Sequence, residues 1–478
     1  MKNNSSKAPS AALKMGGSQM MLCAAAILIA ILVNLIVARL PSTATQFDLS
    51  SEGFFTLSEQ TKNITAGLTE PVTIYLIAET GAEDDTVSTL LDRYAASSSN
   101  ITVEQIDPVL YPNFTANYTT ESLADNSVIV ESAKRFKVVD NSKIFVQDLS
   151  SYYTTGQVST SFDGEGAITS ALSYVVTDDL PVVYALTGHG EAALSQNLQN
   201  MIGKDNYTLS SLELLTEDGI PDDCDALLIV SPQTDITERE KEAILSYMEK
   251  GGSVMLFADL ITAETPNLDA LLDAYGLQLE RGIVIERGGN NFLAGGYYHY
   301  LLPDIKSHGI TASLIENNKR VLLPAAQAVT ETASHRSSLS VTTLLTTTSE
   351  SYLKPSAYEM TTMEKETGDI DGPFPVGMAV TEETSGGTTH LAVFTSSYML
   401  DDSFDQIVYS ANSDMFLSAL GWMCQYEQSM SIHAKAVNSE VLIVPASAGN
   451  TWGMIMVIVL PLAVLALGLL VTLSRRKK

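Results

Sequence analysis

Residues 181–191 read PVVYALTGHGE, and residues 225–259 read DALLIVSPQTDITEREKEAILSYMEKGGSVMLFAD. Together they hold three short apolar runs, Val182–Leu186, Ala226–Val230 and residues 254–257. Turn or capping residues bound each run, and helical patterns separate them. A continuous apolar run without alternation suits a strand buried on both faces. The order strand–helix–strand–helix–strand predicts a parallel sheet with right-handed crossovers. In such sheets ligands gather at the carboxyl ends of strands. His189 and Glu191 follow the first run, Gln233 and Asp235 the second, and Asp259 the third. These five residues are therefore the candidate ligand-binding groups.

The helix between the second and third runs is bounded from sequence alone. Thr237 followed by Glu240 is a capping box, and Gly251-Gly252 is a helix stop. The predicted span is 238–250. Upstream, residues 72–77 (VTIYLI) read as a strand, 86–96 as a helix, and Ile101–Ile106 as a half-buried strand. Residues 127–130 and 136–139 suggest a hairpin. Strand–helix–strand followed by a hairpin resembles a thioredoxin-like layout, without the CxxC that thiol chemistry needs. Thr56 with Glu59 suggests a further capping box, opening a helix over 57–66. Downstream, 376–380 and 391–395 return to buried-strand character and are expected to join the main sheet. Residues 330–351, rich in Ser and Thr, are expected to be partly irregular.

The net charge is −29, from 56 acidic and 27 basic residues. That balance argues against nucleic acid as a partner. No Asp or Glu precedes Asp48 or follows Glu440, whereas seven of the basic residues lie close to the two ends. Residues 20–38 form an uncharged apolar stretch long enough to span a bilayer, and residues 453–473 form a second, ending in basic residues. The expectation is a two-pass protein of the cell membrane with both termini cytoplasmic, contacting lipid through two helices. Its parts would be a basic tail (1–19), a transmembrane helix (20–38), a small α/β domain (42–160), a larger α/β domain (161–440), a second transmembrane helix (453–473) and a basic tail (474–478). The three cysteines, Cys23, Cys224 and Cys424, show no metal-ligand spacing, and no cofactor is expected.

Four segments carry a resemblance: FDLSSEGFFTLSEQTKNITAGLTEPVTIYLI, VVYALTGHGE, IPDDCDALLIVSPQTDITEREKEAILSYMEKGGSVMLFAD and LLDAYGLQLERGIVIE. Their order and spacing resemble the Gldg family, auxiliary components of ABC-type transport systems related to gliding-motility proteins. The resemblance implies an extracytoplasmic α/β ectodomain. It would comprise the small thioredoxin-like unit and a flavodoxin-like parallel-sheet domain related to class I glutamine amidotransferases, flanked by the two transmembrane helices. It also implies an ABC permease and ATPase as partners. The sequence holds no GxxxxGK[ST], so any ATPase is another chain.

An amidotransferase needs a cysteine at a tight strand-to-helix turn. Here the three strand ends carry Thr187-Gly188-His189, Ser231-Pro232-Gln233 and Asp259-Leu260. A fold does not carry its chemistry without the site residues. A non-catalytic auxiliary component that binds a substrate or an envelope partner is thus expected. The alternatives are an ectoenzyme hydrolysing envelope polymers through His189, Glu191 or Asp259, and a structural envelope protein.

Overall fold

The computed structural model describes residues 53–148, 159–178, 180–355 and 357–426, with residues 28, 29, 432, 434–437 and 468. The described residues of Met1–Gln147 and Phe162–Lys435 form one compact unit. Those of Asp148–Ser161 and Ala436–Lys478 form a second, in which the Val437 N–H donates to the Thr160 carbonyl at 2.9 Å.

The first unit opens with helix α1 (Glu59–Ala66). Its cap is Ser58, whose hydroxyl accepts from the Thr61 N–H, so the helix starts two residues later than the Thr56 box predicted. The Ser58 N–H is itself held by Glu165 at 2.6 Å, a partner more than a hundred positions away. Strands β1 (Val72–Ile77) and β2 (Ile101–Ile106) flank helix α2 (Asp85–Ser97) and pair in parallel. Strands β3 (Ser127–Ser132) and β4 (Phe136–Val139) form the hairpin, giving the order β2-β1-β3-β4 with β3 antiparallel to β1. Helix α3 (Gly164–Val176) packs on this sheet, and Ile74, Leu90, Val128, Ile168 and Leu172 form its dry core.

The larger sheet begins at β5 (Val182–Leu186), followed by helix α4 (Gln196–Lys204) and β6 (Thr208–Leu212). Next come β7 (Ala226–Val230), helix α5 (Glu238–Glu249), β8 (Ser253–Phe257) and helix α6 (Pro266–Ala274). Every residue of β7 and β8 is buried, which is why these runs show no alternation. Strands β9 (Asp304–Ile305), β10 (Leu339–Thr346), β11 (Pro375–Glu383) and β12 (Thr388–Phe394) complete the eight, and helix α7 (Ala411–Met423) lies against β8 and β12. The order is β9-β10-β11-β12-β8-β7-β5-β6. The five strands from β12 to β6 are parallel, and β11 then reverses the direction.

β10 is the run that its Ser and Thr content predicted to be partly irregular. Threonine is β-branched and fits a pleated surface, and the antiparallel partner β11 supplies the ladder.

The small and large sheets meet within this unit through polar contacts. Lys137 Nζ donates to Asn206 Oδ1 (2.6 Å), Asn206 Nδ2 donates to the Ser170 carbonyl (3.0 Å), and Lys204 Nζ pairs with Asp163 (2.8 Å).

Among the described residues no helix is long and apolar enough to cross a membrane. The longest of those described above have 13 residues, about 20 Å, against a bilayer core of about 30 Å. This corrects the expected fold class, an ectodomain flanked by two transmembrane helices, and the expected two-pass membrane location. Apart from residues 28, 29 and 468, the segments 20–38 and 453–473 lie outside the described residues.

Candidate functional site

The loop after β5 turns sharply because Gly188 (φ +117°) and Gly190 (φ +77°) take the left-handed region. A Cβ on Gly190 would meet the Gln233 side chain at 3.2 Å, so the loops after β5 and β7 lie against each other. The His189 carbonyl accepts from the Gln233 N–H (2.8 Å) and the Thr234 N–H (3.1 Å), and the Ala192 N–H donates to the Val230 carbonyl (2.8 Å).

His189 is 4% exposed. Its Nδ1 lies 3.1 Å from Glu191 Oε1, and its Nε2 lies 3.1 Å from Glu240 Oε2. Glu191 Oε2 also accepts from the His189 N–H at 2.8 Å. Glu240 Oε2 closes the capping box of α5, accepting from the Thr237 N–H (2.8 Å) and hydroxyl (2.7 Å). The imidazole is thus clamped between two carboxylates, one from its own loop and one from the first turn of α5. Both ring nitrogens are engaged by carboxylate oxygens. Sequence reasoning identified Glu240 as a cap but not as the histidine's second partner, because nothing local marks a contact 51 positions away.

The other candidates are engaged in a similar way. Ser231, directly after β7, is a non-glycine residue with φ +49° and is 1% exposed. Gln233 Nε2 donates to its carbonyl (2.9 Å) and its hydroxyl (3.0 Å), holding that strained turn. Asp235 reaches across to α6, whose own N-cap Thr265 makes no side-chain cap bond. Its Oδ2 accepts from the Asn267 N–H (3.0 Å) and its Oδ1 from the Leu268 N–H (3.1 Å). A carboxylate there satisfies orphan donors and meets the positive end of the helix dipole. Asp259 accepts from both the N–H and the hydroxyl of Ser397, tying the end of β8 to the turn after β12.

The structure therefore brings His189, Glu191 and Gln233 together, places Asp235 at α6, and sets Asp259 at the end of β8. Beside Asp259 stand two exposed tyrosines, 40 positions apart in the chain, Tyr358 (60%) and Tyr398 (53%). The Tyr358 hydroxyl is pushed up by burial, then by Tyr398 and Asp259, with Arg281 opposing. Gln327, fully buried nearby, donates to the Ala258 and Asp259 carbonyls at 2.9 and 3.1 Å.

A cleft of about 590 Å³ lies at the other end of the sheet, where β7 and β8 begin. Asp218, Asp222, Cys224, Tyr247, Lys250 and Cys424 are among its lining residues. Burial pushes the Cys224 thiol up to about 11 and raises the Cys424 thiol as well. Neither is an activated nucleophile. No group of three or more His, Cys, Asp or Glu side chains among the described residues could hold a metal ion.

A family model described as an ABC-type uncharacterized transport system matches residues 180–419. A second, described as a domain of unknown function, matches residues 51–147. No curated protein matches significantly. Among solved structures, the mmIFT52 N-terminal domain is similar at 14% identity and a TM-score of 0.37, covering 51% of this chain and 97% of that one. PurLQS from Thermotoga maritima is similar at 11% identity and a TM-score of 0.28, covering 51% and 100%. A thua-like protein from Parabacteroides merdae is similar at 9% identity and a TM-score of 0.26, covering 56% and 94%.

Proposed function

This chain belongs to the ABC-type uncharacterized transport system family, and on that premise we propose that it is a non-catalytic auxiliary component, working with a permease and an ATPase carried on other chains. The match over residues 180–419, which takes in the parallel sheet from β5 to β12, carries the reading. Support comes from the strand ends. There His189, Asp235 and Asp259 each hold a neighbouring loop or helix, and Gln233 holds its own turn, rather than a vacant position beside a nucleophile. In this reading they frame the edge, and exposed groups such as Tyr358 and Tyr398 are the ones a substrate or partner meets.

The test is recovery of the tagged full chain from its native cells in mild detergent. Co-purification of an ABC permease and an ATPase in fixed ratio is expected. Recovery of the chain with neither of them would overturn the proposal.

A further inference from the structure

The small sheet carries an exposed apolar feature that the strand-end site does not use. After β2, the consecutive residues Val109, Leu110 and Tyr111 are 67%, 67% and 60% exposed. They are not a loose tip. Asp107 Oδ1 accepts from the Val109 N–H (2.9 Å) and the Leu110 N–H (3.3 Å), while its Oδ2 accepts from the Thr80 N–H (3.0 Å) and hydroxyl (2.8 Å). The Tyr111 N–H donates to the Asp107 carbonyl (2.8 Å), and the Phe114 N–H donates to the Tyr111 carbonyl (3.0 Å). Phe114 packs edge-on against Tyr75 of β1, with ring centroids 5.0 Å apart, and Tyr118 packs edge-on against Phe136 of β4, also at 5.0 Å. The turn is thus pinned at its base by a carboxylate and behind by aromatic rings. Three adjacent apolar side chains are held in water in a fixed arrangement, which lowers the ordering cost of binding.

The surroundings say what would cover them. Residues 79–125 hold nine acids against a single base, Arg93, which is buried. Glu79, Asp85, Glu121 and Asp125 are exposed at the same end of the sheet, where β1 and β2 finish and β3 begins. An anionic lipid surface or a nucleic acid would be repelled. A polypeptide carrying Lys or Arg among apolar residues would be drawn in by the charges and held by the burial of the loop.

We propose that the Val109–Leu110–Tyr111 turn, at the same acidic end of the small sheet as these carboxylates, is the docking surface for a basic, apolar-bearing segment of a partner protein. Identifying that partner as a transporter subunit rests on the reading above; the surface itself does not.

The experiment places a photo-crosslinking amino acid at position 110 of the full chain in its native cells, with position 242 on the exposed face of α5 as control. The adduct is identified by peptide mass spectrometry. A crosslinked segment with net positive charge and apolar residues is expected, at a yield at least fivefold above the control. The pair Glu121→Lys with Asp125→Lys should cut that yield at least fivefold. A triple change of Val109, Leu110 and Tyr111 to Ser, exposed and hence expected to fold by circular dichroism, should weaken co-purification at least tenfold. An adduct no stronger than the control, an acidic or uncharged segment, or a phospholipid adduct would overturn the inference. If permease and ATPase co-purify but position 110 captures nothing, the surface is wrong and the functional reading stands. If a basic segment is captured from a protein of no ABC system, the surface stands and its assignment to a transporter subunit fails, while the functional reading is decided by co-purification of permease and ATPase.

Discussion

Replacing Glu240 with Ala tests whether the clamp on His189 is a structural tie between the β5 loop and α5. Glu240 is 1% exposed, and its Oε2 accepts three hydrogen bonds, from the Thr237 N–H, the Thr237 hydroxyl and His189 Nε2. Thr237 still caps the helix, and loss of the reciprocal carboxylate half of the box costs up to about 1 kcal/mol. Leaving His189 Nε2 unpaired in a buried site adds about 1–3 kcal/mol. One effect opposes these. Glu240 Oε1 is buried and meets no donor among the described residues, so removing the carboxylate relieves an unsatisfied group, worth about 1 kcal/mol. The net expectation is a loss of about 1–3 kcal/mol. It is best read from urea denaturation at pH 7, followed by Trp422 fluorescence in a Trp452→Phe background. The sharper measurement is the double-mutant cycle with His189→Ala. If the two side chains act as one tie, the coupling energy is about 1–3 kcal/mol. A coupling below about 0.5 kcal/mol, with each single variant folded, would refute the clamp and return His189 to the list of groups available to a ligand.

Three further outcomes are expected. Burial holds the imidazoles of His308 and His390 below the usual histidine range, and both pack on Trp422, with ring centroids 5.1 and 4.1 Å away. Because the folded values are the lower ones, these groups contribute stability that is full above about pH 6.5 and is lost as pH falls through the folded values. Trp422 emission should change over that same acid range, and a midpoint at or above 6.5 that survives His308→Asn with His390→Asn would contradict the assignment. With its thiol pushed up to about 11, Cys224 should react with an alkylating agent at pH 8 roughly 200-fold more slowly than free cysteine, measured after Cys23→Ser and Cys424→Ser; a rate within tenfold of free cysteine is the disproof. A Cβ on Gly386 would lie 2.5 Å from the Lys250 Cα, where only backbone can give way. Gly386→Ala should therefore cost about 1–3 kcal/mol by urea midpoint, while Gly219→Ala, with open space around it, stays within about 0.5 kcal/mol.

The sequence was most legible where a local rule carried the information. The Thr237–Glu240 box and the Gly251 stop placed α5 to within a residue of Glu238–Glu249. The unbroken runs at 182–186, 226–230 and 254–257 are strands of the parallel sheet. Where the rule was local but the partner distant, the reading slipped. Thr56 satisfied the capping pattern, yet Ser58 is the cap because Glu165 holds its backbone from α3. β10 was hidden in its threonines because its ladder partner, β11, begins some 30 residues later. Candidate residues were legible by position and not by use. Glycines and carboxylates at strand ends mark turns, but whether an aspartate faces a ligand or a helix N-terminus depends on how α6 packs.

That distinction bears on where this molecule meets others. At the carboxyl ends of β5, β7 and β8, polar side chains are satisfied by backbone groups of their own or a neighbouring loop, and His189 and Gln327 are buried. An isolated buried polar group is costly, so a fold that places them there must satisfy them internally, and satisfied groups cannot also bind substrate without breaking those bonds. The turn at Val109 has the opposite arrangement. Its polar group, Asp107, is satisfied by its own loop and by Thr80 after β1, and its apolar side chains are the part left in water. Burial of those side chains costs no internal hydrogen bond, so association there gains the full hydrophobic term. Binding at the strand ends must first pay for disrupted contacts. The small sheet is accordingly the better-prepared surface for the proposed partner, and the bonds at the strand ends hold the large sheet's loops to one another.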